Sequence, residues 1–140
     1  MSLPDGILSI DDVILVNKQF CKNLYEPYGL DDPAQLQMIV SEINNYNKLS
    51  NEKEKAILKM TSLLVGLVFG QPFKNGNKRT AVALSLLLIR SHHYDISDYR
   101  NETKQKIFYE LLEKTMLKME GDPTIKPEIE NFLRNNLIRI

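Results

Sequence analysis

Two strongly apolar segments, ILKMTSLLVGLVF (57–69) and AVALSLLLI (81–89), flank the polar stretch GQPFKNGNKRT (70–80). No period-two alternation of useful length runs through either segment or elsewhere. The second is apolar nearly all round, as in a helix buried at the centre of a domain. Gly70 and Pro72 stop the first helix. The pattern predicts two central helices joined by a charged loop, and a core that the rest of the chain must cover.

The flanking signals are helical too. Ser9, with Asp12 three residues on, opens a helix over 9–25 in near capping-box form, and Ile10, Val13, Ile14, Phe20 and Leu24 share a face. Asp32-Pro33 reads as N-cap and first turn of a second helix carrying Leu36, Ile39, Val40, Ile43 and Tyr46. Ser50 is the expected cap of the third, with Glu52 and Glu54 in its first turn, ending at Phe69. A fourth helix is expected from about Asn77 to Ser91, then a short extended stretch YDIS (94–97). A fifth is expected over 101–120, closed by GDP, and a last one opening at Pro127. The expectation is an all-α fold, about six helices around a buried central pair, in a single domain spanning 1–140. Residues 1–8 read as an N-terminal tail that can include non-native residues.

Lys plus Arg and Asp plus Glu are equal at 18 each, so no net field draws the protein to nucleic acid or an acidic membrane. The longest strictly apolar run is roughly nine residues, short of the ~18–20 that span a bilayer. One cysteine, Cys21, cannot close an internal disulfide and fits a reducing compartment. With no basic and apolar leader at the start, a cytoplasmic protein is expected.

The loop carries the chemistry. Lys78 and Arg79 stand at a helix start where the dipole favours carboxylates and hydroxyls, which costs about 0.3–1 kcal/mol each. An anion seated there explains them. Gly76 allows a close or left-handed backbone, and Asn77 can donate through its carboxamide. Phosphate at a helix N-terminus held by Lys and Arg is the economical reading. A plain solvated turn between helices is the alternative. The spacing is not that of a Walker A loop.

The string QPFKNGNKRT resembles the Fic/Doc (Fido) signature H-x-F-x-[D/E]-[G/A]-N-[K/G]-R, and its NKRT ending is most like the death-on-curing (Doc) branch. GLDDPAQLQMIVSEI (29–43) and AVALSLLLIRSHHYDI (81–96) extend the similarity over roughly residues 9 to 95. The resemblance implies a helical domain that binds a nucleotide triphosphate, such as ATP, with Mg²⁺. It implies transfer of AMP, or in the Doc branch a phosphoryl group, to a Ser, Thr or Tyr hydroxyl of a protein target. By position, Gly76, Asn77, Lys78 and Arg79 match the phosphate-binding end, Phe73 the aromatic anchor, and residues 26–32 loosely the target-positioning segment. A toxin-like role follows from the Doc likeness.

Two positions depart from the pattern. Gln71 stands where the family has its catalytic His, and Asn75 where it has the acidic metal ligand. A carboxamide hydrogen-bonds a hydroxyl but takes no proton at neutral pH. Asn75 offers Mg²⁺ one neutral oxygen, so binding there is expected to be weak. His92 and His93 lie about 22 Å along the same helix, too far to substitute. They are expected at its C-terminus, where positive charge is favoured. Three accounts of Gln71 stay open: an engineered inactivation, natural degeneration, or a regulator that binds without turnover. The family's inhibitory pattern [S/T]-x-x-x-E-[G/N] is incomplete, since Ser50 to Glu54 is followed by Lys55; a separate antitoxin is the expected source of any inhibition.

Overall fold

The computed structural model describes residues 3–96, 101–117 and 125–140. Six helices lie among them: α1 (Ile10–Asn23), α2 (Pro33–Asn45), α3 (Glu52–Gly70), α4 (Asn77–Ser91), α5 (Glu102–Leu117) and α6 (Ile125–Asn136). A small sheet pairs β1 (Tyr94–Ile96) with β2 (Leu137–Arg139), antiparallel, in the register Tyr94–Arg139, Asp95–Ile138 and Ile96–Leu137. The fold is all-α with this one minor addition.

The caps explain most boundaries. Ser9 and Asp12 form a reciprocal capping box, and Asp32 accepts from the Gln35 N–H with Pro33 behind it. Asn51, rather than Ser50, caps α3 by accepting from the Glu54 N–H at 2.9 Å. Either residue type serves at that position, and Asn51 is the one adjoining the first turn. α6 begins at Ile125, with Pro127 inside its first turn, where a missing N–H costs nothing. The expected end of the fifth helix (118–120), its GDP stop and Ser97 lie outside the described residues.

α3 and α4 form the central pair. Leu63, Leu64, Leu67, Leu84 and Leu88 are fully buried, and α1, α2, α5 and α6 cover them. Each buried aliphatic side chain contributes about 1.5–3 kcal/mol. Gly66 lets α2 close on α3, because a Cβ there would meet Ile39 at 2.9 Å.

Residues 3–8, expected as a tail, are docked. Leu3 and Leu8 are buried. The Leu8 N–H donates to Asn44 Oδ1 at 3.0 Å, and Asn44 Nδ2 donates to the Leu8 carbonyl at 2.7 Å. Beneath this segment lies a buried polar knot at the end of the helix pair remote from the loop. Lys59 Nζ donates to the Gly6 carbonyl at 2.9 Å, to Asn47 Oδ1 and to His92 Nε2 at 3.0 Å. His92 Nδ1 faces Glu52 at 3.1 Å. Burial, then the Lys55 charge, pushes Lys59 down to about 8. His92 does cap the C-terminus of α4, but burial and the Lys59 ammonium hold its pKa below the ordinary value. The expected favourable positive charge there is overturned by desolvation.

Candidate functional site

The loop begins with strain. α3 ends at Gly70, and Gln71 takes the left-handed conformation (φ 48°, ψ 58°) while its N–H returns to the Leu67 carbonyl at 3.1 Å. A residue with a Cβ pays about 1–2 kcal/mol for that conformation. Gln71 is exposed, so no packing of its own side chain explains it. The conformation is that of an αL helix stop, in which the residue after the last turn returns its N–H to a carbonyl three residues inside the helix end.

Beyond Gln71, the loop folds back on itself through Asn77. The Asn77 Oδ1 accepts from the Phe73 N–H at 3.0 Å, and its Nδ2 donates to the Phe73 carbonyl at 2.8 Å. Expected as an anion donor, this carboxamide is largely committed to closing the loop; one Nδ2 hydrogen remains for a ligand. Phe73 is buried at 2% exposure with Tyr28 tilted against it, the ring centroids 6.2 Å apart. It anchors the ring in the core.

The α1–α2 connection lies across the loop. The Asp31 and Asp32 N–H groups donate to the Pro72 carbonyl at 2.9 and 3.1 Å, and the Lys74 N–H to the Gly29 carbonyl at 2.8 Å. Leu30 and Phe73 form an isolated antiparallel bridge. Asn75 adds a contact that a carboxylate could not make: its Nδ2 donates to the Pro27 carbonyl at 2.9 Å. Glu26 accepts from Arg79 Nη2 at 2.8 Å.

Gly76 precedes α4 with φ 77° and ψ 12°. From α1, the fully buried Asn17 donates through Nδ2 to the Asn75 carbonyl at 2.8 Å and to Thr80 Oγ1 at 3.2 Å. Gln71, Asn75, Gly76, Asn77, Lys78 and Arg79 line one hollow of about 340 Å³, joined by Lys74, Val68 and Glu26. A neighbouring apolar hollow of about 420 Å³ shares Lys78 and Arg79 and is walled by Phe20, Leu86 and Tyr109. Lys78 Nζ lies 5.7 Å above the Tyr109 ring centre.

The resulting site presents three cations, one carboxylate and a helix N-terminus, a set suited to polyanions. The donors do not make a magnesium site by themselves. Asn75 is neutral and tied to Pro27, Glu26 is paired with Arg79, and no cluster of three His, Cys, Asp or Glu occurs among the described residues. A hard cation that prefers charged oxygens would have to be carried by a ligand's phosphates. His92 and His93 close the far end of α4, away from the loop.

Asn17 and Glu26 were missed as individual residues. Asn17 carried a signal: it falls four residues from both Val13 and Cys21, a carboxamide on the buried face of α1. Glu26 carried none, since a lone carboxylate in a turn looks like solvent-facing surface.

No helix among the described residues is long and apolar enough to cross a membrane. Searches of curated proteins and of solved structures returned no match. The family model described as Fic/DOC family matches residues 7–89, a span that holds α1 to α3, the loop and nearly all of α4. The chain belongs to the Fic/DOC family.

Proposed function

We propose that the loop hollow binds the phosphates of a nucleotide triphosphate, ATP being the expected one, for transfer to a protein hydroxyl. The observation that carries this is the convergence of Lys74, Lys78 and Arg79 on one hollow at the start of α4, with Gln71 on its wall. In the transfer, the target oxygen attacks phosphorus, and the bond to the leaving phosphate oxygen breaks. Attack at the α-phosphorus releases pyrophosphate; attack at the γ-phosphorus, the Doc-like route, releases the diphosphate. Lys and Arg offset the charge on the departing group. The hydroxyl proton needs an acceptor, and Gln71 supplies none. The chain is accordingly impaired or silent as a transferase, which also sustains a second reading, a module that binds nucleotide or a partner without turnover. Mg²⁺ would arrive on the nucleotide's phosphates.

A toxin-like protein of the cytoplasm with a separate antitoxin fits the Doc likeness. One internal source of inhibition is disfavoured: Glu54, which has the inhibitory spacing from Ser50, pairs with Arg134 at 2.5 Å near the start of α3. The loop follows the other end of that helix, about 24 Å away at 1.5 Å per residue.

The test is Gln71→His with nucleotide labelled at the α or γ position and a cell lysate as target. Transfer should rise at least ~10²-fold over the unsubstituted chain and increase with pH through roughly 6.5, because the neutral imidazole accepts the proton. Label from the α position means nucleotidyl transfer, and label from γ alone means phosphoryl transfer. Silence from Gln71→His and from its combination with Asn75→Asp, with nucleotide still bound, favours the binding module.

A further inference from the structure

We propose that Asn17 is a positioning residue, turning the Asn75–Gly76 peptide so that the Gly76 N–H, and not the Asn75 carbonyl, faces the anion hollow. The role rests on the nucleotide reading above for its purpose, but its geometry stands apart from it. Asn17 is fully buried in α1, and its Nδ2 spans to the Asn75 carbonyl at 2.8 Å. The peptide is trans, so its C=O and N–H point in opposite directions. A carbonyl drawn inward to Asn17 sends the Gly76 N–H outward, to the side on which Gly76 lines the hollow. Among the described residues no acceptor takes that N–H.

Nothing intrinsic to the sequence local to this peptide holds it that way. Rotating it exchanges the present φ of 77° at Gly76 for a negative value, and glycine populates both signs about equally. In the rotated state the carbonyl would enter the hollow and repel a phosphate. Thr80, the second partner of Asn17 Nδ2 at 3.2 Å, fixes the carboxamide from the other side of the turn. Cys21 Sγ lies 3.6 Å from Asn17 Oδ1 and 3.9 Å from the Asn75 carbonyl, a weak donor toward either and a far poorer partner for that carbonyl than the carboxamide. The amide end meets the Asn75 carbonyl.

The experiment uses the full chain, ¹⁵N-labelled, with inorganic pyrophosphate as probe. In the unsubstituted chain the Gly76 amide should exchange quickly with solvent and move downfield as pyrophosphate is added. Asn17→Asp, followed upward in pH until the buried carboxyl ionises, should rotate the peptide, since a carboxylate repels the carbonyl and accepts from the N–H. Gly76 exchange should then slow at least tenfold, whereas a substitution that only loosened the fold would leave it fast. Asn17→Leu, which adds no charge, should weaken pyrophosphate at least tenfold and abolish the Gly76 shift. Unchanged or faster Gly76 exchange in Asn17→Asp, or undiminished pyrophosphate affinity in Asn17→Leu, overturns the proposal. So does a Gly76 amide in the unsubstituted chain that ignores pyrophosphate while Lys78 and Arg79 respond, a check that needs no variant to fold. If no amide in 70–80 responds, the nucleotide reading itself fails, and slowed exchange in Asn17→Asp still reports on the peptide's orientation.

Discussion

Replacing Glu26 with Gln should tighten nucleotide binding, because a carboxylate now occupies the guanidinium that a phosphate would use. The Arg79 and Glu26 atoms are 2.8 Å apart, with side chains 43% and 34% exposed. At that exposure an ion pair is screened to about 0.2–1 kcal/mol, which an incoming phosphate must give up. A remaining carboxylate also repels it: unit charges about 5 Å apart in water cost about 0.8 kcal/mol. The two effects together come to about 1–2 kcal/mol, or roughly five- to thirtyfold in affinity. Calorimetric titration of ATP into the unsubstituted chain and Glu26→Gln measures it directly. The gain should shrink as salt rises, since the screening length falls from about 10 Å at 0.1 M to about 3 Å at 1 M. In an Arg79→Ala background, where no guanidinium is left to contest, it should fall to the repulsion alone, about 0.8 kcal/mol or roughly fourfold. Equal or weaker binding by Glu26→Gln would refute competition, and would make Glu26 a residue that holds Arg79 in place for the ligand.

Three further outcomes follow from the geometry. Asn75→Asp loses the bond to the Pro27 carbonyl and sets two acceptors face to face; a thermal melt should show about 0.5–1.5 kcal/mol lost, while nucleotide binding becomes more magnesium-dependent. Gly76→Ala places a Cβ 3.0 Å from Asn17 Nδ2 in the left-handed region, and urea unfolding should show a loss of about 1–3 kcal/mol. His92 has a folded pKa below its unfolded 6.5, so the unfolded chain takes up the proton first; its stabilisation is intact above pH 6.5 and is lost as pH falls. Melts between pH 7.5 and 5.5 should therefore decline more steeply in the unsubstituted chain than in His92→Gln, which keeps a donor and an acceptor but does not titrate.

The helices were legible because their signals are local. Ser9 with Asp12, Asp32 with Pro33, and the apolar run from Ala81 to Ile89 each specify an element without reference to distant residues. β2 was not legible: Leu137–Arg139 looks like the tail of α6 and becomes a strand only by pairing with Tyr94–Ile96, more than forty residues earlier. The same holds for Lys59, which reads as an ordinary polar residue of α3 until Gly6, Asn47 and His92 surround it. In the loop, the cations were visible from their misfit with the helix dipole. The carboxamides were read for their chemistry toward a ligand, whereas Asn75 and Asn77 spend most of it on Pro27 and Phe73. Composition names the groups available, and only the tertiary arrangement decides which remain available.

The pair of hydrogen bonds between the Asn77 carboxamide and the Phe73 backbone makes residues 73–77 a closed ring with its own internal fastening. Gln71 stands outside that ring and returns its backbone N–H to Leu67. The fastened ring and residue 71 thus rest on separate contacts. Exchange of the residue at 71 therefore leaves the fastening of the loop intact.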